Sequence, residues 1–321
     1  MDLGVSLRGT WVEKCVEKVH EELEARDLRL RPHVWLSDDW FSPQAVPGIA
    51  IPFYLAHPRL MRLERNQMLE VEGGTRRECL RFLRHETGHA FQQAYRFHRR
   101  RQWQKLFGKS SKKYPDFYRP NPLSKRYVQH LRLWYAQSHP DEDFAETFAV
   151  WLRPRSDWRK RYRGWPALRK LEYVDQLMRD IRNVPPLVRS SARPDSLNRL
   201  RNTLGKHYQD RRERYSVEWP EIWDRDLRTL FSDSPRIRKR EAASTFLRRN
   251  RAEIRRMVSK WTGEYQYTLD TILEEMIGRC SELKLRASGQ EQQLKLDFAV
   301  LITVKTMHYL YSLSRREWFP L

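Results

Sequence analysis

No part of this chain restricts its folding more than the five residues His85-Glu86-Thr87-Gly88-His89. Two imidazoles four positions apart converge on one ion only if the backbone between them is helical, because residues i and i+4 project from the same face of an α-helix. The spacing is that of a zinc-binding histidine pair, so the run is informative only if its surroundings can form a helix. They can. Thr75 and Glu78 form a capping box just after Gly73-Gly74, and this predicts a helix from there through His85 to about Arg99. Glu86, next to the pair, is the residue type that accepts a proton from a water attacking a carbonyl. With 10 His and 24 Glu among 321 residues, the pattern arises by accident in roughly one such chain in fifty, so the rest of the site has to be found elsewhere.

A catalytic zinc needs a third protein ligand and one position left open. The metzincin arrangement is excluded, since Tyr95 stands where its third His belongs and Gln92 where its Gly belongs. The run Asp141-Glu142-Asp143-Phe144-Ala145-Glu146 is the better source. Ser138-His139-Pro140-Asp141 reads as a second capping box with an early proline, predicting a helix to Leu152 that Pro154 stops. Phe144, Phe148 and Leu152 give that helix an apolar stripe, and Glu142 and Glu146 lie one turn apart on another face. One of the two can bind the ion while the other accepts the second N–H of a ligating imidazole. Asp143 is the next candidate ligand. All of these acids would also suit a plain helix N-terminus.

The segment HETGHA, followed about fifty residues later by YAQSHPDEDFAETFAVWL, resembles the bacterial zinc-binding metallopeptidases of the His-Glu-x-x-His, gluzincin-like kind and, more distantly, the catalytic domain of anthrax lethal factor. The resemblance spans about residues 30 to 155. It implies a zincin-like fold and a peptide-hydrolysing enzyme with a Zn2+ cofactor. By alignment on Phe144-Ala145-Glu146 it makes Glu142 the third ligand and places Glu146 behind it, on an imidazole. In the lethal-factor-like arrangement a tyrosine seven residues before the ligating Glu reaches the active site, and Tyr135 occupies that position here as the implied oxyanion donor. Gly88 also belongs to the pattern. A mid-helix glycine costs about 1 kcal/mol relative to alanine, so another element is expected to approach closely there.

The rest of the chain reads as α+β. An amphipathic helix is expected from Trp11 to about Ala25, and strands at His33–Asp38 and Ile49–Ala56. Pro52 and Pro58 suit an edge strand, one able to pair with extended substrate. Lys105 to Ser124 is a basic loop that lines a cleft or merely connects. From Leu197 to Tyr311 the pattern is helical, so the organisation expected is a zincin-like domain over residues 1–190 and a basic, all-α domain over 191–321. His57, His98 and His130 have no partner spacing and read as surface or cleft residues; His139 is a second candidate for the oxyanion.

The net charge of +21 admits an anionic partner, nucleic acid included, or a basic surface simply facing solvent. The cationic runs Arg236–Arg240, Arg248–Arg251 and Arg255-Arg256 suit a helix face neutralised by Glu241 and Glu253 better than a nucleic-acid groove. Cys15, Cys79 and Cys280 lack any short pairing and read as buried thiols of a reducing, cytoplasmic setting. No leader or membrane span is evident. The alternative to an enzyme is a zinc-containing scaffold without catalysis, whose basic helical half binds nucleic acid or an acidic protein.

Overall fold

The computed structural model describes residue 1 and residues 3–115, 118–216 and 223–312. They form two compact units, one drawn from Met1–Glu64 and Val71–Thr203, the other from Arg65–Glu70 and the described residues from 204 to 312. The architecture is α+β and mostly helical.

The first unit opens with α1 (Trp11–Glu24), capped by the Thr10 hydroxyl, which accepts from the Glu13 N–H. β1 (His33–Ser37) and β2 (Gly48–Pro52) pair in parallel, with His33 opposite Gly48 and Ser37 opposite Pro52. β2 ends earlier than its sequence suggested, because Phe53–Ala56 turn into a 3-10 helix before α2 (Pro58–Met68). All five β2 residues are buried, and the Ala50 N–H donates to the Phe41 carbonyl at 2.8 Å. The strand therefore does not present the exposed edge that its prolines suggested.

α3 (Arg76–Tyr95) carries the histidine pair. Its start is the one expected: Thr75 accepts from the Glu78 N–H at 3.2 Å and donates its own hydroxyl to the Glu78 carboxylate at 3.1 Å. It stops four residues short of Arg99, since Arg96 adopts a left-handed conformation with φ 51° and closes the helix by donating to the Gln92 carbonyl. A 3-10 turn at Phe97–Arg99 then leads into α4 (Arg101–Phe107). Helix α5 (Pro140–Leu152) is capped by His139 instead of Ser138, the imidazole Nδ1 accepting from the Asp141 N–H at 3.2 Å. After α6 (Trp158–Arg161) and α7 (Ala167–Asp180), the chain returns along earlier elements. Leu187 and Val188 donate to the Ala94 carbonyl, and the Trp35 indole donates to Pro194 at 2.9 Å.

α3 and α5 meet at Gly88, where a Cβ would lie 2.9 Å from the Ala145 Cα and 3.1 Å from its carbonyl oxygen. Aromatic rings seal the contact. Phe91 packs on Phe148 at 5.2 Å between centroids, while Phe97, Trp103 and Phe107 surround Phe144 at 5.8, 5.9 and 5.4 Å. Burying each of these phenylalanines is worth about 1.5–3 kcal/mol. α1 is pinned to α3 by the buried pair Arg84–Glu22, two parallel bonds of 2.8 and 2.7 Å. Arg26, from the turn after α1, donates to the Trp151 carbonyl at 2.7 Å and lies over the Trp151 ring.

The second unit packs α8 (Leu204–Tyr215), α9 (Asp224–Leu230), α10 (Ala243–Thr262), α11 (Gln266–Glu282) and α12 (Glu291–Ser312), with a core that includes Phe231, Phe246, Ile254, Met276 and Phe298. It also holds a short antiparallel ribbon, β3 (Phe231–Ser232) against β4 (Arg286–Ala287), so it is not purely helical. Arg236–Arg240 lie in a 3-10 turn and the turn after it, ahead of α10. Within α10, Arg249 pairs with Glu241 and Glu291, and Arg251 and Arg255 pair with Asp270. Of the two acids expected to neutralise this run, Glu241 does so at Arg249, whereas Glu253 pairs with Lys295 and the other partners come from Asp270, Glu274 and Glu291. Among the described residues no helix is long and apolar enough to cross a membrane.

Replacing a mid-helix glycine by alanine ordinarily stabilises by up to about 1 kcal/mol. Gly88→Ala should instead lower stability by about 1–3 kcal/mol, because its methyl meets backbone that cannot yield. Urea unfolding followed by circular dichroism measures this, and a variant as stable as the parent would mean that the two helices are not so tightly apposed.

Candidate metal centre

His85, His89 and Glu142 offer three ligand atoms in one place. His85 Nε2 lies 3.0 Å from Glu142 Oε2, His89 Nε2 lies 3.2 Å from the same oxygen, and the two ring nitrogens are 3.1 Å apart. Ligands on a tetrahedral zinc with bonds of about 2.0–2.1 Å stand about 3.3 Å from one another, so this near-equilateral triangle fits one face of such a shell. Both histidines come from one face of α3 and the carboxylate from the first turn of α5.

The partners behind the triangle set its orientation. His85 Nδ1 lies 3.0 Å from Glu146 Oε1, and the other Glu146 oxygen accepts the Leu131 N–H at 2.9 Å. A carboxylate on the far nitrogen selects the tautomer that leaves Nε2 free to ligate. Burial disfavours charge on His85, but Glu142 and Glu146 outweigh it and hold the imidazole up at about 10. Burial likewise acts to raise Glu142, yet the two imidazoles hold it well below the usual carboxylate range. The donor set thus attracts positive charge strongly, as a cation site should.

Glu86 is buried beside the triangle, close enough to His85, His89 and Glu142 to feel their charges. Burial pushes its carboxyl up to about 7, and its Oε2 has no hydrogen-bond partner. Tyr135 is buried as well, its ring 5.7 Å from that of His85. It is brought there by two consecutive left-handed residues, Leu133 at φ 60° and Trp134 at φ 54°. Such a conformation is costly for residues with side chains. Tyr118 helps to hold it, donating to the Leu133 carbonyl at 3.0 Å.

Residues 56–159 match the family model described as putative zinc-binding metallo-peptidase. The matched span contains the histidine pair, Glu86, Tyr135, Glu142 and Glu146. The family is described as zinc-binding, and zinc is an ion that the His/His/Glu group could hold. No curated protein and no solved structure matches the chain.

Other acids and histidines take different places. Asp143 faces Lys170 at 2.5 Å, and Asp141 accepts from Gln92 and Ser110, so neither joins the triangle. His139 has both ring nitrogens engaged, one in the cap of α5 and the other on the Lys112 carbonyl at 3.0 Å, which leaves it no part at an oxyanion. His57 caps the start of α2 by accepting from Arg59. His130 is neither a surface nor a cleft residue. It is buried, contacts the Arg81 carbonyl at 3.0 Å and feels the Glu146 charge, and burial pushes its imidazole down to about 4.

One residue that contacts the centre has no signal in spacing or motif. Tyr114, from the basic stretch before α5, donates to Glu142 Oε1 at 2.9 Å and stacks on His139 at 3.7 Å between centroids. Its hydroxyl occupies one Glu142 oxygen and leaves the other for the two imidazoles. Removing a partner of this kind costs about 10–100-fold in metal affinity. Tyr114→Phe should therefore weaken zinc binding by about tenfold or more in a chelator-competition titration, with the helical circular dichroism of the parent retained.

Proposed function

We propose that this chain is a zinc-dependent metallopeptidase, its first unit zincin-like, in which His85, His89 and Glu142 hold the ion. The observation that carries the reading is the triangle of ligand atoms, 3.0–3.2 Å on a side, with the Glu86 carboxylate buried next to it. Bound there, zinc supplies Lewis-acid polarisation of a carbonyl and brings the pKa of water down to about 7.

The remaining work falls to side chains. Glu86 takes the proton of the attacking water on its carboxylate and passes it to the leaving amine, a role that suits a group poised near neutrality. The Tyr135 hydroxyl donates to the oxyanion as it forms on the scissile carbonyl. Glu146 accepts from His85 Nδ1 and fixes the ring, and Tyr114 fixes the carboxylate of Glu142.

A purely structural zinc would call for four protein ligands and no adjacent base. Three ligands with Glu86 beside them support hydrolysis over a non-catalytic scaffold whose basic helical half binds nucleic acid or an acidic protein. The three cysteines are free and buried, and a reducing, cytoplasmic setting would keep them so.

Elemental analysis beside a protease assay on an unfolded mixed-protein substrate tests the assignment. Wild type should carry one zinc and cleave. Glu86→Gln should keep the zinc and lose about 10²–10⁴-fold in rate, and Glu142→Ala should lose the metal. Tyr135→Phe should retain zinc and lose about 10²–10³-fold in kcat. A metal-free, inert wild type would end the peptidase reading.

A further inference from the structure

Residues 1–203 hold 39 Lys and Arg against 24 Asp and Glu, so most of the +21 lies in this part of the chain and not in the helical half. A long basic run lies next to the metal centre. Between Arg99 and Arg132 stand eleven Lys and Arg with a single acid, Asp116.

This stretch is laced to the site. Ser110 donates to Asp141 at 2.9 Å, the Lys112 carbonyl takes the His139 imidazole at 3.0 Å, and Tyr114 reaches the Glu142 carboxylate. Lys109, Lys112 and Lys113 are exposed around those anchors. Among the described residues the one ion pair made by these eleven cations is Arg132 with Glu78, at 3.8 Å. In α10, by contrast, the arginines Arg249, Arg251 and Arg255 are already paired with acids.

A second basic run extends the region. Arg153, Arg155, Lys160, Arg161 and Arg163 are exposed, and their segment is joined to the first where Gln129 N–H donates to the Tyr162 hydroxyl at 3.0 Å and Ala167 N–H to the Lys125 carbonyl at 3.2 Å. The centre itself is lined by the buried carboxylates of Glu86, Glu142 and Glu146. Exposed cations on segments anchored beside a buried acidic cluster steer what approaches, because without acidic partners they attract anionic groups over roughly a Debye length of 8–10 Å.

We infer that the basic rim formed by the exposed Lys and Arg of residues 99–115 and 118–132 selects acidic polypeptide, binding Asp- and Glu-rich segments on one or both sides of the bond to be cut. The choice of polypeptide over nucleic acid rests on the peptidase reading; the choice of negative charge rests on the rim alone. Oriented charge of this kind raises encounter rates by about 10–10³-fold at low salt and loses the gain as salt rises.

The test uses the full zinc-loaded chain and two fluorogenic peptides that share a cleavable centre, one flanked by Glu and Asp, the other by Lys. The acidic peptide should show at least a tenfold higher kcat/KM in dilute buffer, and the gap should close in concentrated salt. Charge reversal at Lys109, Lys112 and Lys113 to Glu should shrink or invert the preference. Reversal at Arg248 and Arg256, exposed on α10, should leave it in place. Fluorescence anisotropy of the acidic peptide on Glu86→Gln reads recognition apart from turnover. Tight, salt-sensitive binding with no cleavage by wild type would keep the rim's role and remove the peptidase reading. Equal handling of the two peptides, or a preference that ignores the rim reversal, would overturn the proposal. So would random-sequence DNA that displaces the acidic peptide at far lower concentration than the peptide itself requires.

Discussion

The close approach of α3 and α5 at Gly88 is the constraint from which the site follows. With no Cβ at that position, the two helices come near enough for His85 and His89 on one to meet Glu142 and Glu146 on the other. A side chain there would push the carboxylates away from the imidazoles and open the triangle of donors. The aromatic rings of Phe91, Phe144 and Phe148 make this apposition favourable, since they bury a large apolar surface on either side of the contact. Packing thus supplies the energy that holds several ionisable groups together out of water, which the groups themselves would resist.

The supporting layer distributes this work over the rest of the first unit. The Arg84–Glu22 pair fixes α3 from behind, one residue before His85, and Arg26 closes the C-terminal end of α5. The left-handed pair Leu133 and Trp134 turns Tyr135 inward, while the segment around Tyr114 lies against the first turn of α5. Each contact is a modest one, and together they leave the donors little freedom to rearrange.

Much of the centre is legible in the amino-acid sequence, because helical periodicity translates spacing directly into direction. His85 with His89, and Glu142 with Glu146, are each one turn apart, and the Thr75 capping box supplies the frame for the first pair. The parts that the sequence hides depend on contacts that spacing does not encode. Tyr114 is 28 residues from Glu142 and reaches it through irregular chain with no period. His139 displaces Ser138 as the cap because an imidazole nitrogen can accept the same N–H that a hydroxyl would. His130 looks solitary along the chain, yet its surroundings, the Arg81 backbone and Glu146, come from separate elements. The strand at Gly48–Pro52 misleads for a related reason, since its prolines describe missing donors and say nothing of what covers the strand.

Burying Glu86, Glu142 and Glu146 at the junction of the two main helices of the first unit also joins two equilibria that are separate in many enzymes. A cation that binds the folded chain and not the unfolded one adds to stability in proportion to the logarithm of its free concentration. If the triangle holds zinc, the supply of the ion governs more than the rate of a reaction. The ion would also hold α3 and α5 together, so that the firmness of their junction would follow the concentration of free metal.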